Sequence, residues 1–128
     1  MSRNLYLINT IPKETFSKSF ISICVPIYNI QKFLPSFIRS IQKQNFKNFG
    51  LILVDDNSCD LTEQMIKIFK KYYKRIKYIK SPINRGTGYS RALGIGNAKG
   101  KYINQFDADD LEATHKILKI IYDIFYWE

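Results

Sequence analysis

The sequence predicts an α/β fold, a mostly parallel sheet with flanking helices, and three observations support this prediction. Nearly all-apolar stretches of strand length alternate with stretches in which apolar residues recur at helical spacing. The first two strand stretches lack polar alternation, which is typical of strands covered on both faces. The connections between stretches are short. Together these features favour parallel strands wrapped by helices.

The bulk composition fits one folded domain with a basic surface. A chain of 128 residues with 45% hydrophobic residues is long enough for one core. We assign residues 1–19 to an N-terminal arm and residues 20–128 to the domain. The net charge of +9 admits nucleic acid, an anionic membrane surface or a phosphate-bearing small molecule as partners.

No signal peptide or membrane span is recognised in the sequence, so we expect a cytoplasmic protein. Its two cysteines, Cys24 and Cys59, lack the spacing of metal ligands. We therefore expect both thiols to be reduced and buried.

The first half of the domain predicts two strands and two helices. The strands cover residues 20–27 and 49–54, and the first helix starts near Phe33 or Leu34. The predicted inner face of this helix consists of Ile30, Phe33, Leu34, Phe37, Ile38 and Ile41. Asp60 and Glu63 have capping-box spacing at the start of the second helix. The predicted inner face of the second helix consists of Met65, Ile66, Phe69, Tyr72 and Tyr73.

The second half predicts two more strands and two more helices. Residues 76–79 form a short strand near a sheet edge, and a fourth strand starts near residue 101. A third helix lies between them, with Gly100 as its terminator. Its predicted apolar positions are Tyr89, Ala92, Leu93 and Gly96. The last helix is indicated by Ile117, Leu118, Ile121, Ile124 and Phe125.

Polar residues follow each predicted strand at the point where it ends. They are Tyr28 and Asn29, Asp55 and Asp56, residues 84–91, and residues 107–110. Ligands of parallel α/β sheets bind beyond the carboxyl ends of the strands. A helix cap explains one acidic cluster, but it explains two clusters at corresponding strand ends less easily. The pattern therefore favours a ligand site.

The last acidic cluster has a spacing that suits a divalent cation. Asp107 and Asp109 can both turn toward one point, and Mg²⁺ and Mn²⁺ take oxygen ligands that substrate phosphates often complete. Asp109 and Glu112 also have capping-box spacing, so the cluster alone fits a helix start equally well.

Several common sites are excluded by the sequence. Residues 26–31 contain no glycine, so the dinucleotide fingerprint is absent from the first strand–helix turn. The Gly100–Lys101 pair is not followed by Ser or Thr, which excludes a P-loop. The single histidine, His115, lies in the predicted last helix, and no Ser/His/Asp set is indicated.

A basic run with interspersed tyrosines lies between residues 67 and 80. Such a run can suit single-stranded nucleic acid. A solvated helix face that ends in lysines is the more common case, so we do not expect nucleic acid as the partner.

Four motifs together resemble glycosyltransferase family 2, the nucleotide-diphospho-sugar transferases of the GT-A fold. They occur in the family's order over about residues 19–115. The motifs are Ile23-Cys24-Val25-Pro26-Ile27-Tyr28-Asn29, Leu53-Val54-Asp55-Asp56-Asn57-Ser58, Asn84-Arg85-Gly86 with Ser90-Arg91-Ala92, and Gly100-Lys101-Tyr102-Ile103 with Phe106-Asp107-Ala108-Asp109-Asp110. The resemblance implies a Rossmann-like nucleotide-binding half.

The resemblance also implies a base pocket for a UDP- or TDP-sugar donor. Asp56 matches the carboxylate that accepts the imide N–H of uracil or thymine, and Asp55 is its neighbour. Pro26 and Tyr28 match the wall around the base.

For the diphosphate, the resemblance implies a guanidinium and a metal. Arg91 matches a position near the diphosphate, where an arginine suits the charge. Asp107 and Asp109 match the Asp-x-Asp pair that handles ribose and, through Mn²⁺ or Mg²⁺, the two phosphates.

The family reaction is an inverting transfer that needs a general base to deprotonate the acceptor. In the family this base lies downstream, in an acceptor-binding half, and no residue here matches it. We therefore expect a donor-binding half, truncated before the acceptor half, that is inactive in transfer on its own. A non-catalytic nucleotide-binding module or a basic nucleic-acid-binding module is the alternative. The apolar end at residues 120–127 favours self-association or contact with an anionic membrane surface.

Overall fold

The computed structural model describes residues 21–43, 49–100 and 102–105, and within these ranges it confirms the α/β fold. Strands and helices alternate along the chain. The strands are β1 (Ile21–Ile27), β2 (Phe49–Asp55), β3 (Ile76–Lys80) and β4 (Tyr102–Gln105). The helices are α1 (Leu34–Gln42), α2 (Thr62–Tyr72) and α3 (Thr87–Gly96). The N-terminal arm, the predicted last helix, Asp107 and Asp109 lie outside the described residues.

The four described strands form one parallel sheet in the order β3-β2-β1-β4. Ile21 of β1 lies opposite Phe49 of β2 and Tyr102 of β4, so these strands start at one level. β3 lies at an edge of the described sheet, as its length and flanking lysines predict. The carboxyl ends of the strands therefore share one edge, which we call the carboxyl edge.

Both faces of the sheet are covered, which explains why β1 and β2 are almost entirely apolar. On one face α1 and α2 pack over the larger core cluster. On the other face Leu93 of α3 and Ala98 pack against a smaller cluster of Cys24, Ile52 and Val54. The fully buried large side chains include Ile21, Ile23, Leu34, Phe37, Ile38, Ile41, Phe49, Leu51, Leu53 and Ile66.

The inner faces of α1 and α2 are confirmed except at their ends. α1 begins at Leu34, with Pro35 in the first turn where a missing N–H costs nothing. Phe33 precedes the helix and is 47% exposed, so its predicted burial is wrong. Tyr72 is 82% exposed, also against prediction. Tyr72 follows the buried Ile66 by six residues. Because each residue of a helix advances by about 100°, this separation places Tyr72 on a different side of α2.

The predicted capping box at the start of α2 is not formed, because Leu61 is the N-cap and makes no side-chain capping hydrogen bond. The Oδ1 atom of Asp60 accepts a hydrogen bond from the backbone N–H of Thr62 at 2.9 Å, so Asp60 does fix the helix entry. The carboxylate of Glu63 forms ion pairs with Lys80 Nζ at 2.6 Å and Lys67 Nζ at 3.2 Å. Two ammonium groups thus occupy the carboxylate that a capping box would turn back toward the backbone.

Glycines allow α3 and the following turn to approach the sheet. A Cβ at Gly94 would lie 3.2 Å from Cys24 Cβ and Val54 Cγ2. α3 ends at Gly96 with Asn97 as its C-cap, so the prediction that Gly100 terminates the helix is wrong. Gly100 instead lies against Ser22, whose Oγ accepts a hydrogen bond from the Gly100 N–H at 2.7 Å.

Candidate functional site

The loops that follow β1 and β2 are joined by hydrogen bonds at the carboxyl edge. We call residues 28–33 the β1 loop and residues 56–61 the β2 loop. Side chains of each loop accept hydrogen bonds from backbone N–H groups of the other loop, and the side chain of Thr62 at the start of α2 accepts one from the β1 loop. The bonds are Asn29 N to Ser58 Oγ (2.9 Å), Cys59 N to Asn29 Oδ1 (2.9 Å), Ile30 N to Thr62 Oγ1 (3.0 Å), Gln31 N to Asp60 Oδ2 (3.2 Å) and Leu61 N to Gln31 Oε1 (3.1 Å).

Asparagines at two turns make this arrangement possible. Asn29 and Asn57 have positive φ angles of 50° and 66°. Asparagine tolerates this left-handed conformation better than most side chains. Each loop therefore turns sharply at the end of its strand and presents its polar groups to the other.

Asp55 is completely buried, and three donors hold its carboxylate. The Oδ1 atom accepts hydrogen bonds from the N–H (2.8 Å) and the hydroxyl (2.6 Å) of Ser58. The Oδ2 atom accepts one from the Tyr78 hydroxyl at 2.6 Å. Burial, followed by this contact with Asp55, raises the pKa of Tyr78 well above its usual value. The phenol therefore stays protonated and donates to the carboxylate.

Asp56 joins the β2 loop to residues 81–86, which we call the β3 loop. Its own N–H donates to the Ile27 carbonyl oxygen at 2.9 Å. Its Oδ1 and Oδ2 atoms accept hydrogen bonds from the N–H groups of Arg85 (2.8 Å) and Gly86 (2.9 Å). Gly86 has a φ of 91°, a conformation that favours glycine, and it is the N-cap of α3. One carboxylate thus fixes the position of the β3 loop and the start of α3.

Tyr28 and Cys59 meet at the outer side of these loops. The Tyr28 side chain is 46% exposed, and its hydroxyl lies 3.9 Å from Cys59 Sγ. This contact raises the pKa of Tyr28. Cys59 is exposed, so the prediction that both thiols are buried is wrong for Cys59 and confirmed for Cys24. The difference follows from position, because Cys24 lies inside β1 and Cys59 in a surface loop.

Three of the predicted site residues lie within this network, namely Tyr28, Asp55 and Asp56. Pro26 is half-buried near the end of β1, opposite Val54 in the strand register. Arg91 is exposed in α3, five residues after the Gly86 N-cap.

Sequence reasoning missed the supporting residues Ser58, Tyr78 and Arg85. Ser58 follows Asp55 by three positions, a local spacing that allows a turn to be closed by the aspartate. The Arg85 guanidinium lies 5.0 Å from the centre of the exposed Tyr89 ring, so the β3 loop also contacts α3 through this pair. Tyr78 has no local signal, since its partner is 23 positions away.

In residues 21–43, 49–100 and 102–105, no group of three or more His, Cys, Asp or Glu side chains is arranged to hold a metal ion. Over the same ranges no helix has the length and hydropathy needed to cross a bilayer.

The chain is similar to known glycosyltransferases in sequence and in structure. An uncharacterized glycosyltransferase of Rickettsia conorii is 40% identical over 111 residues, which cover 87% of this chain and 18% of that protein. TarS (residues 1–349) from S. aureus, solved with UDP-GlcNAc, has a TM-score of 0.68 at 27% identity, covering 80% of this chain and 31% of that one.

A more distant likeness supports the same fold. The mannosyltransferase PcManGT from Pyrobaculum calidifontis, solved with GDP-Man and Mn²⁺, has a TM-score of 0.74 at 17% identity, covering 95% of this chain and 38% of that one. This chain thus spans well under half the length of the relatives it matches. The neighbours are GT-A glycosyltransferases, which confirms the predicted fold class. The model of the family described as "Glycosyl transferase family 2" matches residues 22–124, and the chain therefore belongs to that family.

Proposed function

We propose that this chain binds a UDP- or TDP-sugar at the carboxyl edge of the sheet, with Mn²⁺ or Mg²⁺, for inverting sugar transfer. The observation that carries this proposal is the carboxylate of Asp56. It is only 6% exposed and is fixed by the β3 loop beside the exposed Tyr28. A fixed, nearly buried carboxylate is suited to recognising a donor group of a ligand that enters this edge.

The hydrogen-bonding capacity of Asp56 supports base recognition. An ionised carboxylate has about four lone-pair sites. The N–H groups of Arg85 and Gly86 use one bond on each oxygen, so further capacity remains. The imide N–H of uracil or thymine is a suitable donor for it. Guanine also carries N–H donors, and PcManGT was solved with GDP-Man, so the choice of base has to be tested directly.

The remaining residues of this edge have distinct proposed roles. Asp55 is an indirect, positioning residue, because its buried carboxylate already binds Ser58 and Tyr78. Tyr28 and Pro26 form the wall beside the base. Arg91, exposed on α3, attracts the diphosphate.

The proposed metal ligands are Asp107 and Asp109, which lie outside the described residues. β4 runs toward the carboxyl edge and ends at Gln105, which lies opposite Cys24 in the register and two positions before Asp107 in the sequence. A Mg²⁺ or Mn²⁺ ion that bridges nucleotide phosphates needs only one or two protein carboxylates, so this pair of hard oxygen donors fits it. When bound, the cation stabilises the negative charge on the departing diphosphate.

We assign donor binding, but no general base, to the residues of this chain. Inverting transfer requires a base that deprotonates the acceptor hydroxyl. Asp55 is fully buried with both carboxylate oxygens hydrogen-bonded, and we assign the remaining capacity of Asp56 to the base of the nucleotide. We therefore expect the chain alone to hydrolyse a bound sugar donor slowly at most.

The proposal is tested by titration calorimetry with UDP, TDP and GDP, each with and without Mn²⁺. We expect UDP or TDP to bind more tightly when Mn²⁺ is present. Asp109→Ala should abolish that metal-dependent gain, because it removes a metal ligand. Glu63→Ala is the matched control: it removes one acidic side chain that binds only lysines, and should leave the gain unchanged.

Two outcomes would reject this assignment. Binding of GDP in preference to UDP and TDP would show that the base is wrong. Absence of any metal-dependent binding, with Asp109→Ala equal to the unsubstituted chain, would reject the donor site itself.

A further inference from the structure

We propose that one face of α2 docks the protein on an anionic lipid membrane. The face consists of Lys67, Lys70 and Lys71 of α2 together with Lys74 just after the helix, and we call it the lysine face. It lies apart from the candidate donor site, and the proposal does not depend on that site.

Helical spacing brings these lysines together. Positions 70 and 71 lie three and four residues after position 67, which places these three side chains on one side of α2. Lys74 lies two residues beyond the end of the helix, in the turn that follows it. All four residues are exposed, and the Lys67 side chain retains 65% of its accessible surface. Together they line a shallow, open depression. The face is therefore a continuous basic surface.

The charge of the lysine face is largely uncompensated. Within residues 21–43, 49–100 and 102–105, every acidic residue lies between Asp55 and Glu63, before the lysines in α2 and at its start. Glu63 pairs with Lys67 but also with Lys80, and the other three lysines form no ion pair among the described residues. Concentrated like charge of this kind raises the potential above the face and attracts an anionic surface.

Exposed apolar groups lie on the same helix beside the lysines. Ile68 is 57% exposed and Tyr72 is 82% exposed. Lysine stems cover apolar surface while their ammonium groups reach outward. Tyrosine is suited to the boundary between water and lipid, because its apolar ring can contact lipid while its hydroxyl group remains hydrated. A surface helix with lysines next to apolar side chains is typical of helices that lie on membranes.

The chemistry of the face favours lipid over nucleic acid. Nucleic-acid sites commonly use the planar fork of arginine together with a groove of stacked aromatic rings. Here all four cations are lysines, which act as point charges around an open, shallow depression. The nearby Arg75 is turned away, since it donates to the Phe49 carbonyl oxygen at 3.1 Å and stacks on the Phe49 ring at 5.1 Å. Point charges are sufficient to bind a lipid surface, because its negative potential is spread over many headgroups.

The position of the face would leave the candidate donor site open. α2 starts beside the β1 loop, where Thr62 Oγ1 accepts from Ile30 N–H, and it runs toward the opposite edge of the sheet. β2 spans seven residues between the two edges, which corresponds to roughly 20 Å at about 3.3 Å per residue. A protein docked through the lysine face would keep its carboxyl edge accessible from water.

The test is co-sedimentation of the chain with vesicles of phosphatidylcholine, with and without phosphatidylglycerol, over a salt series. The variant K67Q/K70Q/K71Q/K74Q, which we call the face variant, removes the four positive charges of the lysine face. The matched control K32Q/R39Q/K43Q/K99Q removes the same number of charges from other exposed positions. We expect binding only to the anionic vesicles. Because each lysine near such a surface strengthens binding roughly fivefold, the face variant should bind at least tenfold more weakly while the control keeps most of its binding.

The contribution of the apolar groups has its own measurement. Tyr72→Ala should lower vesicle binding several-fold at a salt concentration near 0.15 M, where charge interactions are screened beyond about 8 Å. Unfolding curves should confirm that every variant is folded, and UDP binding of the face variant should match that of the unsubstituted chain.

Three results would overturn the proposal. An equal loss of binding in the control variant would show that only net charge matters. Equal binding to neutral vesicles would show that the charge of the lysine face is irrelevant. Tighter binding of a single-stranded oligonucleotide than of anionic vesicles, lost in the face variant, would make the lysine face a nucleic-acid surface.

Discussion

Asp55 and Asp56 are neighbours in the sequence, but the structure gives their carboxylates different partners. Asp55 is fully buried and binds Ser58 and Tyr78, so it joins the β2 loop to β3. Asp56 binds the backbone of the β3 loop at the carboxyl edge. Alternation along a strand accounts for this, because successive side chains point to opposite sides. One carboxylate holds the loops in place and the other is available to a ligand.

The positioning role of Tyr78 can be tested with Tyr78→Phe. The substitution keeps the ring and removes the hydroxyl that donates to Asp55 Oδ2 at 2.6 Å. A buried charged acceptor that loses its donor costs about 1–3 kcal/mol of stability. We expect a lower free energy of unfolding in urea and weaker UDP binding, because the β2 loop loses one of its anchors.

The control for this substitution is Tyr72→Phe, since Tyr72 is 82% exposed. It should leave both the free energy of unfolding and the affinity for UDP unchanged. If Tyr78→Phe were as stable as the unsubstituted chain and bound UDP equally well, the anchoring role would be excluded.

At the scale of elements, hydrophobic periodicity predicts the burial of side chains where the local sequence determines it. It fails where residues distant in the sequence determine the burial. The apolar runs of β1 and β2 and the spacing of Leu34, Phe37, Ile38 and Ile41 in α1 predict their burial correctly. The errors are Phe33, which precedes α1, and Tyr72, which lies on a side of α2 that does not pack on the sheet.

The candidate site shows the same limit. The polar residues at strand ends predict where the site lies, because parallel strands end at one edge. The sequence does not predict the partners of the two carboxylates, since Tyr78, which binds Asp55, lies on another strand. Nor does it predict the stacking of Arg85 on Tyr89, which depends on the conformation of the β3 loop.

The connection from α3 to β4 depends on a close approach at Gly100. A Cβ there would lie 2.6 Å from the backbone N of Ser22, which cannot move without disturbing β1. We expect Gly100→Ala to lower the free energy of unfolding by about 1–3 kcal/mol, as other overpacked sites do. Denaturation in urea measures the change.

Gly96→Ala serves as the comparison, because nothing lies within 4 Å of a Cβ at that position. Gly96 is the last residue of α3, so alanine there should be neutral or slightly stabilising. Equal stability of the two variants would contradict the close approach of Gly100 to β1.

At the scale of the whole molecule, the described residues separate two surfaces. The carboxyl edge carries Asp55, Asp56 and the three joined loops, where ligands of parallel sheets bind. The lysine face lies on the later turns of α2, toward the opposite edge. This separation is compatible with donor binding by a protein that rests on an anionic surface.

The fold provides the proposed donor edge, while the proposed transfer reaction also requires a general base. Family membership rests on residues 22–124, and the chain spans only 31% of the length of TarS residues 1–349. Donor binding is therefore the part of the proposed activity that can be tested with this chain. The central claim of the proposed function is that Asp56 recognises the base of the nucleotide.

The most direct measurement is the affinity for UDP in the presence of Mn²⁺, by calorimetry, for the unsubstituted chain, Asp56→Asn and Glu63→Gln. Asparagine keeps one acceptor oxygen for the β3 loop but replaces the other with an amide donor. A hydrogen bond to a charged group contributes about 1.5–3 kcal/mol, so Asp56→Asn should bind UDP at least tenfold more weakly. Glu63→Gln should bind like the unsubstituted chain. Equal affinity of all three folded proteins for UDP would contradict the assignment of Asp56 as the base-recognising residue.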